Sequence, residues 1–247
     1  MDPAIKNKII IALDVDSLER ARELVAQLRF SAGAFKIGTQ LFTRYGPEAI
    51  TTAHRMGSAV FLDLKFHDIP HTIAGASYEV ARHGVLLFTI HALGGFAMMQ
   101  QAVAAVHQAA ETLHVRRPLV LAVTVLTSLA QADLAALGIS GGVEDQVVRL
   151  AQLAHSAGVD GVVASPREIE MIKVACGSNF LVVTPGVRLP TGRADDQKRI
   201  LTPGAAIRKG ADYIVVGRAV TEASDPLAAV HEIIKDIECE NAEDRSQ

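Results

Sequence analysis

Three features of this 247-residue chain predict an α/β fold of the TIM, or (β/α)8, barrel class. Short apolar runs rich in Val, Ile, Leu and Phe recur at regular intervals. A segment of helical period follows each run, and eight such pairs fit within the length. Strict alternation of strand and helix implies parallel strands with right-handed crossovers, and eight units in about 250 residues close into a barrel. The rival is an open doubly wound sheet, whose first strand–helix turn carries a Gly-rich phosphate loop. Here that turn reads Asp14-Val15-Asp16-Ser17 and contains no glycine.

The elements follow in order. Residues 9–13 form an unbroken apolar run, the mark of a strand buried on both faces. Residues 17–28 are the first helix, with Leu18, Ala21, Leu24, Val25 and Leu28 on one face and Ser17 as N-cap. Further strands are expected at 34–37, 59–64, 85–90, 119–125, 161–164, 181–183 and 213–216. The matching helices are expected at 47–56, 73–83, 96–113, 144–157, 167–174, 203–209 and 226–237. Gly57, Gly84, Gly158 and Gly210 mark helix ends. Two connections are long, 126–143 after the fifth strand and 186–202 after the seventh. Long polar connections in a compact domain are often lids or binding loops. No linker splits the chain, so residues 1–237 are expected to form one catalytic domain and 238–247 a polar tail that frays.

Composition narrows the function. A chain that is 49% hydrophobic and 21% charged can bury a core, which excludes bulk disorder. The net charge of −3 argues against a nucleic-acid partner, since phosphate neutralisation needs a basic face, but it leaves a single mononucleotide open as ligand. Two cysteines, Cys176 and Cys239, form no CxxC pair, so neither a disulfide framework nor a thiolate zinc site is expected. This usage fits a reducing, cytoplasmic compartment. No apolar run approaches the roughly 18 residues of a membrane span, and the first is too short for a signal peptide.

Barrel active sites lie at the C-terminal ends of the strands. The polar residues expected there are Asp14, Lys36, Asp63, Lys65, His91, Thr124, Thr127 and the pair Gly217-Arg218. Residues i and i+2 of a strand share a face, so Phe61, Asp63 and Lys65 point one way and Leu62 and Leu64 the other. Asp14, Lys36, Asp63 and Lys65 then make an alternating array in which two anions offset two cations. A purely structural ion network is the plain alternative, but buried ion pairs stabilise poorly beside apolar replacements, which favours function. Carboxylates beside an ammonium favour its charged form, which suits a proton donor and not a Schiff-base lysine. The exits of strands seven and eight are the usual phosphate site of a barrel. There Gly186, Arg188, Gly217 and Arg218 offer open backbone amides and bidentate guanidinium contacts. His67 and His71 flank Pro70 and have no third ligand, so no metal is expected, and His91 reads as a hydrogen-bonded structural residue.

The block from Asp63 to Thr72, Asp-Leu-Lys-Phe-His-Asp-Ile-Pro-His-Thr, resembles the DxKxxDIPxT signature of bacterial-type orotidine 5′-phosphate decarboxylases. Leu13-Asp14, Phe35-Lys36-Ile37-Gly38, Thr124 to Ser128, Thr184 to Arg188, Asp196 to Arg199 and Val216-Gly217-Arg218 resemble that family's other blocks in the same order. DxKxxD alone is shared with other phosphate–sugar barrels, whereas the DIPxT extension, Lys36 and the Gln197 loop are more specific. The resemblance implies decarboxylation of orotidine 5′-monophosphate to uridine 5′-monophosphate and CO2, the last step of de novo pyrimidine synthesis, with no metal and no organic cofactor. It implies Lys65 as proton donor to C6, Asp63 against the departing carboxylate, and Lys36 and Asp14 on the ribose hydroxyls. It implies Thr127 or Ser128 on the pyrimidine, and Gln197 and Arg218 on the phosphate with Gly217 and Arg188 alongside. It also implies Ile69 as a substrate contact, and a homodimer in which Asp68, one of the catalytic set, and Thr72 reach the partner's site. Two other readings stand beside it. One is a magnesium-dependent sugar-phosphate lyase of the same superfamily, which keeps an acidic residue where Lys36 stands. The other is a non-catalytic nucleotide-binding barrel.

Overall fold

The computed structural model describes residues 3–189 and 201–244. Its strands form a closed parallel barrel in sequence order, the TIM-barrel class that alternation predicts. In chain order the elements are α1 (Pro3–Asn7), β1 (Ile9–Ala12), α2 (Leu18–Leu28), β2 (Ala34–Gly38), α3 (Thr39–Tyr45), α4 (Glu48–Arg55) and β3 (Ala59–Phe66). Then come α5 (Pro70–Arg82), β4 (Leu87–His91), a 3-10 turn (Ala92–Gly94), α6 (Gly95–Leu113), β5 (Leu119–Val123), α7 (Gln131–Ala136), α8 (Val143–Ser156) and β6 (Gly161–Val163). The last are α9 (Ile169–Cys176), β7 (Leu181–Pro185), α10 (Pro203–Arg208), β8 (Tyr213–Val216), α11 (Arg218–Thr221) and α12 (Pro226–Asp244).

The chain divides into two compact units. The first comprises Met1–Asp63 and Thr184–Gln247. In it β1 pairs with both β2 and β8, and every residue of β1 is buried, as an unbroken apolar run requires. Ser17 caps α2 by accepting the Arg20 N–H at 3.2 Å. Two helices here escape the periodicity. Helix α3 buries only Leu41, so it offers no apolar stripe to read. Helix α12 continues to Asp244, past the expected end at 237. Its polar stretch is tied to α10, because Asp236 accepts the Gly204 N–H at 2.7 Å and Glu240 pairs with Arg208.

The second unit comprises Leu64–Val183. In it β4, β5, β6 and β7 pair in parallel register. Its N-terminal edge is closed by Asp160, which takes Arg117 in a two-pronged contact at 2.8 and 2.5 Å and also accepts the Val120 N–H at 2.7 Å. Helix α7 interrupts the long connection after β5, which the sequence reading leaves without structure. Gly57, Gly84, Gly158 and Gly210 take positive φ at the helix ends they mark. Strand β3 runs on to Phe66, because charged side chains stop an apolar run without stopping a backbone ladder.

Candidate active site

The first unit brings together three of the four charged residues of the expected array. Lys36 sits on β2 and is buried, with 8% of its surface exposed. Its Nζ lies 2.9 Å from Asp14 Oδ1 and 3.6 Å from Asp63 Oδ2. Asp63 is largely enclosed on β3, while Asp14, just past β1, is half exposed. The buried ammonium is therefore offset by two carboxylates, one largely enclosed and one half exposed to solvent. Gly38 ends β2 opposite Asp63 in the register. A Cβ at Gly38 would stand 2.9 Å from Asp14 Oδ1 and 3.0 Å from Lys36 Nζ, so glycine leaves the space the pair occupies. A cavity of about 510 Å³ is lined by Val15, Asp16, Thr39, Gln40, Thr43 and Arg44, and Asp14, Lys36 and Asp63 are not among its lining residues.

The same unit carries the expected phosphate-side residues. Arg188 is half-buried after β7, and its N–H donates to the Leu201 carbonyl at 3.2 Å, drawing the two feet of the 186–202 connection together. Gly217 precedes α11, which no side chain caps, and Arg218 is exposed at its start. Gln197 lies outside the described residues.

The second unit carries Lys65, and here the expected alternation breaks. Lys65 has φ of 53°, in the left-handed region, so the regular period-two pattern through Phe61, Asp63 and Lys65 does not extend through it. A lysine has no local reason to adopt that region, which costs about 1–2 kcal/mol. The conformation is held from β4, since the Lys65 N–H donates to the buried Thr89 Oγ1 at 2.9 Å. Backbone strain of this kind gathers at functional positions.

Beyond Lys65 the chain turns outward. Asp68 accepts the Ile69 N–H on Oδ1 at 2.6 Å, and Pro70 takes the first position of α5. Asp68 and Thr72 are exposed, and Ile69 leaves 65% of its surface uncovered. Thr127 and Ser128 are exposed past β5. Thr124 is buried and gives its hydroxyl to the Val163 carbonyl at 3.2 Å, so it serves the ladder. His91 accepts the Leu93 N–H on Nδ1 at 3.3 Å, in keeping with a structural role. Among the described residues no cluster of three His, Cys, Asp or Glu could hold a metal ion.

Glu168, past β6, is a residue the sequence reading missed. It is 8% exposed and accepts the Ser165 N–H at 2.8 Å. Burial is the main cause that pushes its carboxyl above the ordinary range, and Glu144 adds to it. Its signal was the Ser165-Pro166-Arg167-Glu168 spacing, the S-x-x-E of a capping box. With a folded pKa above the unfolded one, Glu168 costs stability once pH rises through that window and costs nothing below it. Glu168→Gln is therefore expected to raise the melting temperature near pH 7 by a few degrees and to leave it unchanged near pH 4. Thermal scans at the two pH values check this, and an equal shift at both would defeat it.

The model of the orotidine 5′-phosphate decarboxylase / HUMPS family matches residues 7–233. The chain belongs to this family. It is 52% identical over 232 residues to the orotidine 5′-phosphate decarboxylase of Pelobacter propionicus, covering 94% of this chain and 95% of the relative. It is 50% identical over 234 residues to that of Moorella thermoacetica, covering 94% and 93%. The crystal structure of orotidine 5′-phosphate decarboxylase from Lactobacillus acidophilus superposes with a TM-score of 0.81 at 36% identity, over 93% of this chain and 98% of that one. The Asp14–Lys36–Asp63 array and the strained Lys65 are thus features of an orotidine 5′-phosphate decarboxylase-family barrel.

Proposed function

We propose that this chain decarboxylates orotidine 5′-monophosphate to uridine 5′-monophosphate and CO2, the last step of de novo pyrimidine synthesis, without a cofactor. The observation that carries the reading is the buried Lys36 ammonium between Asp14 and Asp63, in a chain about half identical to orotidine 5′-phosphate decarboxylases over nearly its whole length. Loss of CO2 from C6, an sp² carbon without an electron sink, leaves a localised carbanion. The Lys65 ammonium stabilises the developing charge and then delivers its proton to C6. Asp63 lies against the departing carboxylate and disfavours the bound ground state by like-charge repulsion. Lys36 and Asp14 take the ribose hydroxyls, and Thr127 or Ser128 takes the pyrimidine. Gln197 and Arg218 hold the phosphate, with Gly217 and Arg188 beside them.

The working form in this reading is a homodimer, with Asp68 and Thr72 completing the partner's site and Ile69 a substrate contact. The exposure of these three residues in the single chain supports it. Residues 1–237 act as one catalytic domain with a polar segment after it. No helix among the described residues is long and apolar enough to cross a membrane, and a cytoplasmic location fits the substrate.

The test is loss of the orotate absorbance with orotidine 5′-monophosphate in the presence of a chelator. Turnover is expected; none, with activity on sugar phosphates restored by magnesium, would transfer the chain to the lyase reading. Arg218→Ala is expected to lower kcat/KM for the nucleotide by about 10²-fold or more, the scale of a lost charge-assisted phosphate contact of roughly 3 kcal/mol. It should leave the rate with phosphate-free orotidine nearly unchanged. Equal losses on both substrates would remove Arg218 from the phosphate site.

A further inference from the structure

Between Lys65 and Asp68 lies a residue the mechanism does not use. His67 stacks on His91 with ring centroids 5.3 Å apart and planes inclined by 23°. It also packs against the turn after β4, because a Cβ added at Gly94 would stand 3.3 Å from His67 Cδ2 and would collide with Met98. Gly94 has no side chain, and His67 and Met98 occupy the space one would take. The partner ring is itself fixed, since His91 ends β4 and accepts the Leu93 N–H on Nδ1. That bond leaves the ring proton on Nε2 and makes the neutral form the one that fits. His67 is otherwise exposed, on a segment whose next residue bonds only to its own neighbour among the described hydrogen bonds. The histidine stack therefore ties this segment to the end of β4 two residues after the strained Lys65, one position beyond Phe66, whose ring centroid lies 6.3 Å from that of Phe88 on the same strand.

We propose that the stacked His67–His91 pair is a positioning element for the reaction, fixing the chain between the proton donor Lys65 and the interface carboxylate Asp68. This rests on the decarboxylase reading above. The effect follows from geometry. Lys65 sits in a backbone conformation that its own preferences resist, and its N–H donates to the Thr89 hydroxyl on β4. The stack holds Lys65 from the C-terminal side. If the 66–68 segment is released, the ammonium can drift from C6, and a displacement of about 1 Å costs roughly 10²-fold in rate.

The pair also responds to protons. The titratable and charged groups that face His91 are His67 and Lys65, both from the end of β3, while the turn after β4 presents the Leu93 amide. Burial first, then His67 and Lys65, lower the His91 pKa below its ordinary value. Between that lowered value and about 6.5 the unfolded chain binds more protons than the folded one, so the grip weakens as pH falls through the window.

The test compares His67→Ala with His67→Phe, which keeps a stacking face. His67→Ala is expected to lower kcat about tenfold to a hundredfold near pH 8, with KM changed by less than about threefold. His67→Phe is expected to recover kcat to within about threefold of wild type. A wild-type kcat in the alanine variant, or a phenylalanine variant as slow as alanine, would overturn the proposal. Should the alanine variant not fold, His67→Leu, with bulk but no stacking face, takes its place. Hydrogen exchange of the 66–69 amides is measured on the same proteins. Faster exchange in the alanine variant alone supports positioning even if wild type does not decarboxylate, an outcome that would defeat only the functional reading. Unchanged exchange in all variants overturns the positioning role.

Discussion

Replacement of Lys65 by alanine is expected to lower kcat for orotidine 5′-monophosphate by at least about 10⁴-fold. Two contributions multiply. Loss of a positioned charge beside a developing anion costs about 10²–10³-fold, and loss of a positioned proton donor costs about 10²–10⁴-fold. The variant should keep the wild-type fold. Lys65 occupies a left-handed φ of 53° that alanine tolerates no better, but its side chain belongs to no apolar core. The Thr89 hydroxyl contact is to the backbone N–H and survives the substitution. The absorbance assay on purified protein, with circular dichroism as the folding control, decides the matter. A folded Lys65→Ala protein within a hundredfold of wild type would exclude Lys65 as the donor.

The largest stability effect is expected far from that chemistry, at Asp160→Ala. Asp160 takes both guanidinium nitrogens of Arg117 and the Val120 amide at the N-terminal edge of β5 and β6. The pair is mostly enclosed, with side-chain exposures of 27% for Arg117 and 17% for Asp160. The hydrogen bond to Asp160 raises the Arg117 pKa, and because a guanidinium is charged at neutral pH even without that help, it stays charged when its partner is removed. An uncompensated, half-dry charge and an orphaned strand amide together cost about 3 kcal/mol, the lower end for breaking an enclosed pair. In a chain of this size that is a fall in melting temperature of about 6–12 °C. Because the edge lies away from the C-terminal strand ends, kcat at 25 °C should stay within about twofold of wild type. A scan showing less than a two-degree shift would mean that Arg117 finds another partner or water.

Much of this was legible in the residues themselves. The strands announce themselves because a parallel barrel buries both faces of each strand, which leaves unbroken apolar runs such as Ile9 to Ala12. Helix α2 is legible because one face of it is apolar and Ser17 caps it. The three-residue array was legible as chemistry because Lys36 and Asp63 interrupt apolar runs where charge needs a partner. Helix α3 was not legible, since a helix that buries only Leu41 leaves no periodic trace. The helical stretch of 238–244 was not either, because contacts with α10 support it and apolar spacing does not. Glu168 was missed because burial of a carboxylate depends on what packs around it, which spacing does not record.

The sequence by itself determined the barrel, the order of its elements and the identity of the charged residues, because period and composition are local properties. The family followed from the ordering of its blocks. The order of the array was also legible, but only the tertiary structure decided its distances and exposure, with Lys36 Nζ 2.9 Å from a half-exposed Asp14 and 3.6 Å from an enclosed Asp63, because these residues meet through parallel register between strands far apart in the chain. It also decided the backbone at Lys65. A left-handed φ at a lysine is disfavoured by every local preference and exists because Thr89 on the neighbouring strand accepts its N–H. The stack of His67 on His91 belongs to the same class, because residues separated by the whole of α5 meet only once the strands carrying them are folded.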